Sequence, residues 1–209
     1  SNLVGDGNEV SIEQDGYFSV ATVSNVLGND NELDFESEGD RNTITLSVEG
    51  DDNAIEIDQD GDSNGVESGI FLGSDNEVEV TQLGSDNTAT FDAIGDGNEF
   101  TVLQVGDLND AYVGALGSGN EFTTTQIGDV NTAHTVNFDG FFNEIEVSQE
   151  GDENTSIIQA GYIAGVGTSG YYADDNIIDV SQEGNQNDVV LNMSNYLNSN
   201  LNTIDIAQE

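Results

Sequence analysis

Apolar and polar residues alternate in short segments that recur along the whole chain. The segments NEVEVTQLG from Asn76, NEFTVLQVG from Asn98 and NEIEVSQEG from Asn143 share the form Asn-x-apolar-x-apolar-x-Gln-x-Gly. Alternation with period two is typical of a β-strand that buries one face, and the closing glycine is typical of a tight turn. Each segment is therefore predicted to form a strand followed by a Gly-centred arc.

A second set of segments lies between the copies of the first, such as NTATFDAIG from Asn87 and NDAYVGALG from Asn109. Together the two sets define a repeat of 22 to 23 residues, with an Asn three residues after most arc glycines. A period of this length indicates a solenoid, in which each repeat forms one rung. We count nine first strands and eight second strands in about 8.5 repeats, all in one domain over residues 1–209.

The predicted fold is an all-β solenoid of strand-arc-strand rungs, whose two strands stack into two facing, parallel, in-register sheets. Successive rungs of such a cross-β stack lie about 4.8 Å apart. The period is broken near residues 162–175 and 195–201, where loop insertions at arcs are expected. Tyr171 and Tyr172 in the first insertion leave open a lateral contact instead.

The alternation points Asn, the apolar pair and Gln inward. A buried amide without a partner costs several kcal/mol, whereas identical amides stacked one rung apart can bond to one another in a ladder. A slip of one residue would bury acids and break the ladder, so these residues also define the register. The predicted Asn and Gln ladder residues are Asn8, Gln14, Asn31, Asn53, Gln59, Asn76, Gln82, Asn98, Gln104, Asn120, Gln126, Asn143, Gln149, Asn176, Gln182, Asn202 and Gln208.

Glycine is expected at the arcs because it adopts positive φ without strain. The predicted arc glycines are Gly16, Gly39, Gly61, Gly84, Gly106, Gly128, Gly151 and Gly184. In the copy from Asn31, the ladder glutamine is replaced by Ser37.

Charge narrows the range of partners. The chain has 42 acidic residues and one basic residue, Arg41, so its net charge is −41. This charge disfavours nucleic acid or an anionic membrane as a partner. No apolar run is long enough to insert into a membrane. Cysteine is absent, so there is no disulfide framework. Proline is absent too, so every backbone N–H is available for a continuous hydrogen-bonded ladder. We interpret the acidity as an adaptation to saline surroundings, where high ionic strength suppresses self-repulsion.

Sites for chemistry are sparse. DGDSNG at Asp60–Gly65 opens like a calcium loop, but Phe71 stands where the bidentate Glu is needed, so an arc is favoured and no cofactor is required. Weak association of Ca²⁺ or other cations with the acidic arcs stays open.

A polysaccharide-cutting β-helix enzyme is disfavoured because its site would need basic groups close together. The two basic candidates, Arg41 and His134, lie several repeats apart, and His134 is expected to point outward. An ice-binding solenoid is also disfavoured, because such a face needs a Thr-x-Thr pair on successive rungs and Thr123 and Thr125 supply only one pair.

The repeats resemble the curlin repeat of curli major subunits, Ser or Asn, five residues, then Gln-x-Gly-x-x-Asn-x-Ala. NEVEVTQLGSDNTA from Asn76, NEFTVLQVGDLNDA from Asn98 and NEFTTTQIGDVNTA from Asn120 match it throughout. The resemblance implies a secreted subunit that polymerises into an amyloid fibre on a bacterial surface, for biofilm and adhesion. It also implies a secretion channel and a nucleator as partners. The alternative is an acidic, cation-binding solenoid adhesin that does not polymerise.

The ends of the chain are expected to complement each other in such a polymer. The segment from Asn202 is a first strand, and Ser1 to Val4 resembles the tail of a second strand. We therefore expect identical subunits to stack head to tail. The expected polymer interface comprises Ser1, Leu3, Val10, Ile12, Ile204 and Ile206.

Overall fold

The computed structural model describes residues 3–5, 8–28, 30–49, 53–72, 75–139, 141–160, 176–193 and 203–209. The loop insertions expected near residues 162–175 and 195–201 lie outside these ranges, as do Ser1 and Asn202. All regular structure in the described ranges is β-strand, and they contain no helix long and apolar enough to cross a membrane.

Strands alternate between two sheets along the chain. The odd-strand sheet contains β1 (Leu3–Val4), β3 (Val20–Leu27), β5 (Thr43–Glu49), β7 (Gly65–Leu72), β9 (Thr88–Ile94), β11 (Asp110–Leu116), β13 (Thr132–Asp139), β15 (Thr155–Ala160) and β17 (Asp188–Met193). The even-strand sheet contains β2 (Gln14–Asp15), β4 (Glu36–Glu38), β6 (Asp58–Asp60), β8 (Glu77–Leu83), β10 (Glu99–Val105), β12 (Glu121–Ile127), β14 (Glu144–Glu150), β16 (Ile177–Glu183) and β18 (Thr203–Gln208).

Each strand pairs in parallel with the equivalent strand of the next rung. Both sheets have nine strands in chain order. The odd-strand sheet therefore contains the eight expected second strands and β1 in addition. The register places like on like in the even-strand sheet, for example Phe100 beside Phe122 and Gln104 beside Gln126. This confirms the predicted β-solenoid with two parallel, in-register sheets.

The core lies between the sheets and follows the predicted alternation. In the repeat from Asn76, the side chains of Val78, Val80, Ala89 and Phe91 are all at most 3% exposed. Stacking continues through the aromatic residues: the rings of Phe100 and Phe122 are nearly parallel, with centroids 5.4 Å apart. A thin core repeated rung by rung therefore replaces the single wide core of a globular domain.

The first three even strands differ from the expectation of full-length strands. β2, β4 and β6 are two or three residues long, and they pair only around the glutamine position of the repeat. In the rung of β4, the N–H of Phe35 donates to the carboxylate of Asp34 instead of a neighbouring strand, at 3.0 Å. A local side-chain acceptor of this kind competes with the ladder, yet Leu33 and Phe35 remain fully buried.

The arc glycines from Gly16 to Gly151 each lie directly against the next arc glycine, and this leaves no room for a side chain at them. The predicted arc glycines from Gly39 to Gly184 have φ between 97° and 131°. The φ of Gly16 lies outside the left-handed region, so the prediction of a positive φ was wrong for Gly16. A Cβ at Gly16 would nevertheless overlap the carbonyl oxygen of Gly39. Close approach of stacked backbones therefore requires glycine even where φ does not.

Replacing Gly106 with alanine tests this requirement. A Cβ there would overlap the carbonyl of Gly128 at a φ of 119°, so we expect Gly106→Ala to lower the free energy of unfolding by about 2 kcal/mol or more. Gly65→Ala is the matched control, because a Cβ at Gly65 meets no atom within 4 Å. Urea unfolding of both variants measures the difference, and equal midpoints would contradict the stacking argument.

Candidate functional site

A continuous ladder of buried glutamines runs along the even-strand sheet. The Nε2 of Gln82 donates to Oε1 of Gln104 at 2.8 Å, and Gln104 donates in the same way to Gln126 at 2.9 Å. The same bond joins each successive pair among Gln59, Gln82, Gln104, Gln126, Gln149, Gln182 and Gln208. In each of these Gln–Gln bonds the donor belongs to the earlier rung and the acceptor to the following rung, so the ladder has a direction.

The glutamines also join the two sheets. The second N–H of Gln104 crosses the core to the backbone carbonyl of Thr88 at 2.9 Å, and that of Gln149 reaches the carbonyl of Thr132 at 3.0 Å. Both amide hydrogens are thus used, one along the stack and one across it. Sequence reasoning missed this cross-core bond, because it falls on backbone atoms that no side-chain pattern marks.

Asparagines form two further ladders, one in each sheet. In the even-strand sheet, the backbone N–H of Asn120 donates to Oδ1 of Asn98 at 3.1 Å, and its Nδ2 donates to the same oxygen at 3.0 Å. In the odd-strand sheet the same backbone bond joins each successive pair among Asn42, Asn64, Asn87, Asn109, Asn131, Asn154 and Asn187. These odd-strand residues were absent from the predicted ladder, although their spacing from the arc glycines is constant in the sequence.

Side-chain amides of the asparagines hold the arcs in place. Asn109 donates from Nδ2 to the carbonyl of Gly128 at 2.8 Å, and Asn131 donates to that of Gly151 at 2.8 Å. Each of these asparagines therefore ties the start of its strand to the arc of the following rung. The arc position is thereby fixed by a buried, fully used amide.

The glutamine ladder is interrupted at Ser37. Ser37 lies in register between Gln14 and Gln59, and its shorter side chain reaches neither. As a result Oγ of Ser37 and Oε1 of Gln59 are buried without a hydrogen-bond partner. A buried acceptor left unsatisfied costs about 1–3 kcal/mol, so the rungs on either side of Ser37 are coupled less tightly than the others.

Of the predicted interface residues, those that the structure describes lie at the two ends of the described solenoid. Val10, Ile204 and Ile206 pack partly buried against the core, and Ile12 is 46% exposed. Gln14 is exposed, whereas Asn8 donates to Oδ1 of Asn31 at 2.6 Å. The backbone of Leu3 pairs with β3 in the odd-strand sheet.

Carboxylates stack on the outer face of the even-strand sheet. Glu77, Glu99 and Glu121 are in register on successive rungs. Burial raises the pKa of the Glu99 carboxyl above its usual 4.5. The negative charges of Glu121, Glu77 and Glu79 raise this pKa further. Because the pKa is raised in the folded state, the contribution of this carboxyl to the free energy of unfolding is largest below about pH 4.5 and is lost as the pH rises through the raised pKa.

Aspartates at the arcs have a structural role in the stack. The N–H of Asp107 donates to Oδ1 of Asp129 at 2.8 Å, and the N–H of Asp129 donates to Oδ1 of Asp152 at 3.0 Å. In the calcium-loop-like segment, Oδ1 of Asp62 likewise accepts the N–H of Asp40 at 2.8 Å. Among the described side chains, no group of three or more His, Asp or Glu is arranged to hold a metal ion.

His134 points outward from the odd-strand sheet, as its phase predicted. Its Nε2 lies 3.0 Å from Oδ2 of Asp110, and its ring meets that of Tyr112 edge to face. The hydroxyl of Tyr112 donates to Oδ2 of Asp92 at 2.9 Å. Burial and this carboxylate raise the pKa of Tyr112 to about 12, so the phenol keeps its proton at neutral pH.

Restoring the missing glutamine should strengthen the ladder. In Ser37→Gln, the new Nε2 would satisfy Oε1 of Gln59, and we expect a gain of about 1–2 kcal/mol in the stability of the adjoining rungs. Ser148→Gln is the control, because Ser148 stacks between Thr125 and Ser181 on the outer face of the same sheet. Amide hydrogen exchange over residues 31–60 measures the effect, and equal protection in the two variants would contradict it.

Comparison with known proteins agrees with this geometry. The family model of the curlin associated repeat matches residues 73–106 and 101–128, which cover β8 to β12 and the arcs between them. No curated protein and no solved structure matched the chain. The matched segments contain the glutamine ladder from Gln82 to Gln126 and the arc glycines that stack beside it. The chain therefore carries curlin associated repeats at the centre of its solenoid.

Proposed function

We propose that this protein is the structural subunit of an extracellular, curli-like amyloid fibre on a bacterial surface, serving biofilm matrix and adhesion. The observation that carries the proposal is that the rungs from β8 to β16 bring equivalent residues into register, with Gln beside Gln on every rung. A rung of another copy can therefore take the place of a neighbouring rung within the chain. Unpaired strand edges are the usual template for such pairing.

The direction of the glutamine ladder specifies how copies join. Gln208 accepts from Gln182 at 3.1 Å, so its remaining donor is oriented as the donors of the earlier rungs are. In a head-to-tail junction this donor meets Gln14 of the next copy, and Ile204 and Ile206 lie beside Val10 and Ile12. The Gln ladder then continues through the junction without a change of direction.

Net charge sets the conditions for assembly. Each copy adds a charge of −41, so stacking copies at low ionic strength is opposed by repulsion between carboxylates. Salt at about 1 M shortens the Debye length to about 3 Å and removes most of this repulsion. We expect saline surroundings or weakly held cations to favour the fibre, with a secretion channel and a nucleator as further partners.

Blocking one edge tests the head-to-tail model. Ile206 faces the core in the last rung, so Ile206→Asp would bury a carboxylate at the junction and should slow elongation by about tenfold or more. Ile177→Asp is the control, because Ile177 is 45% exposed on the outer face of the adjoining rung. Thioflavin fluorescence, fibre imaging and the reflection near 4.8 Å measure assembly of the two variants and the unaltered chain.

Mixing makes the test directional. Ile206→Asp leaves the edge at Val10 intact, so a small fraction of this variant should cap growing fibres of the unaltered chain. Equal elongation of the Ile206→Asp and Ile177→Asp chains would overturn the junction. A soluble, β-rich monomer under every salt condition would overturn the fibre itself and favour the cation-binding adhesin.

A further inference from the structure

The two outer faces of the solenoid differ in charge. The even-strand sheet exposes carboxylates on rung after rung, among them Glu77, Glu79, Glu99, Glu121, Glu144, Glu146 and Asp179. Glutamates of adjacent rungs lie directly beside each other there. Two such faces brought together would place rows of like charge in contact, which costs several kcal/mol.

The odd-strand sheet exposes mainly uncharged side chains. One row across its outer face runs through Thr45, Glu67, Thr90, Tyr112, His134, Ile157 and Val190. Val190 is 66% exposed, and the neighbouring row contributes Thr43, Thr88, Thr132 and Thr155. Threonine, tyrosine and β-branched side chains are the residues that pack well on a pleated surface.

Carboxylates on this face are fewer and partly engaged. Among its described side chains, the acids of β7, β9, β11 and β17 are Glu67, Asp92, Asp110 and Asp188. Asp92 accepts the hydroxyl of Tyr112 and Asp110 contacts His134, so two of them already have partners. The ring of Tyr112 lies beside the sheet over Gly114, where a Cβ would approach the ring to 3.1 Å.

The size of the face suits a specific interface. Strands of seven residues at about 3.3 Å per residue span about 20 Å, and nine strands about 4.8 Å apart span about 40 Å. The face thus offers about 800 Å², the share that each partner contributes to a standard protein interface. An area this large and low in charge is adequate for stable pairing.

We propose that a second copy of this chain covers the outer face of the odd-strand sheet, so that two solenoids pair laterally through it. Each copy has a net charge of −41, so repulsion between the copies is lowest when their carboxylate rows are farthest apart. This pairing places the carboxylate rows of the two even-strand sheets on opposite outer sides. A two-fold axis in the interface places the same surface on both copies. The pairing does not depend on end-to-end stacking, because one solenoid carries the whole face.

Matched cysteine variants test the pairing, since the chain has no cysteine of its own. Thr90 lies on β9 and Thr101 on β10, which are the central strands of the two sheets, and both side chains are half-buried and point outward. A thiol cross-linker with a reach of about 10 Å, the spacing of packed sheets, should join two copies of Thr90→Cys in high salt. It should not join copies of Thr101→Cys. Cross-linking of both variants, or of neither, would overturn the proposal.

Charge variants at the same positions give a second readout. Thr90→Glu should halve the mass per unit length of fibres, or the sedimentation mass of soluble chains, because it places like charges across the interface. Thr101→Glu should leave both masses unchanged. Failure to form fibres would overturn the proposed function alone, since lateral pairing is still measured by sedimentation. A single-solenoid mass for the unaltered chain in high salt would overturn the lateral pairing.

Discussion

The hydrogen bond between identical buried amides on successive rungs is the interaction on which the rest of the structure depends. An amide such as Gln104 is 0% exposed, and burying it is tolerable only because Gln82 and Gln126 occupy the same place in the adjoining rungs. This requirement places the strands in register, even where 33 residues separate Gln149 from its partner Gln182. It also brings the arcs into direct contact, so that stacked backbones leave space only for glycine.

Register, once fixed, decides where the charge goes. Because the side-chain period is two, every residue between ladder and core positions points outward, and the acids collect on the surface of the even-strand sheet. The stack then holds carboxylates such as Glu99 and Glu121 side by side, which raises the pKa of Glu99. Buried ladders therefore stabilise a chain whose surface charge opposes compaction, and the charge is unevenly divided between the two faces.

Alternation and spacing in the sequence were sufficient to predict the solenoid, its parallel register and the glutamine ladder, because each depends on side-chain type alone. Backbone atoms carry the features that were missed, such as the bond from Gln104 to the carbonyl of Thr88. The short strands β2, β4 and β6 were also missed, since their residues have the same alternation as the longer strands. At the arcs, Val130 has a φ of 61° despite its branched side chain, so stacking overrides local preference there.

Distances between glutamine side chains test the central claim most directly. In protein labelled with ¹³C only at the glutamine side-chain carbonyl, dipolar recoupling by solid-state NMR measures the spacing between neighbouring labels. The amide ladder predicts a spacing of about 4.8 Å, that of adjacent rungs in register. A shortest spacing near 10 Å, twice the rung separation, would show that the glutamines do not stack and would contradict the account.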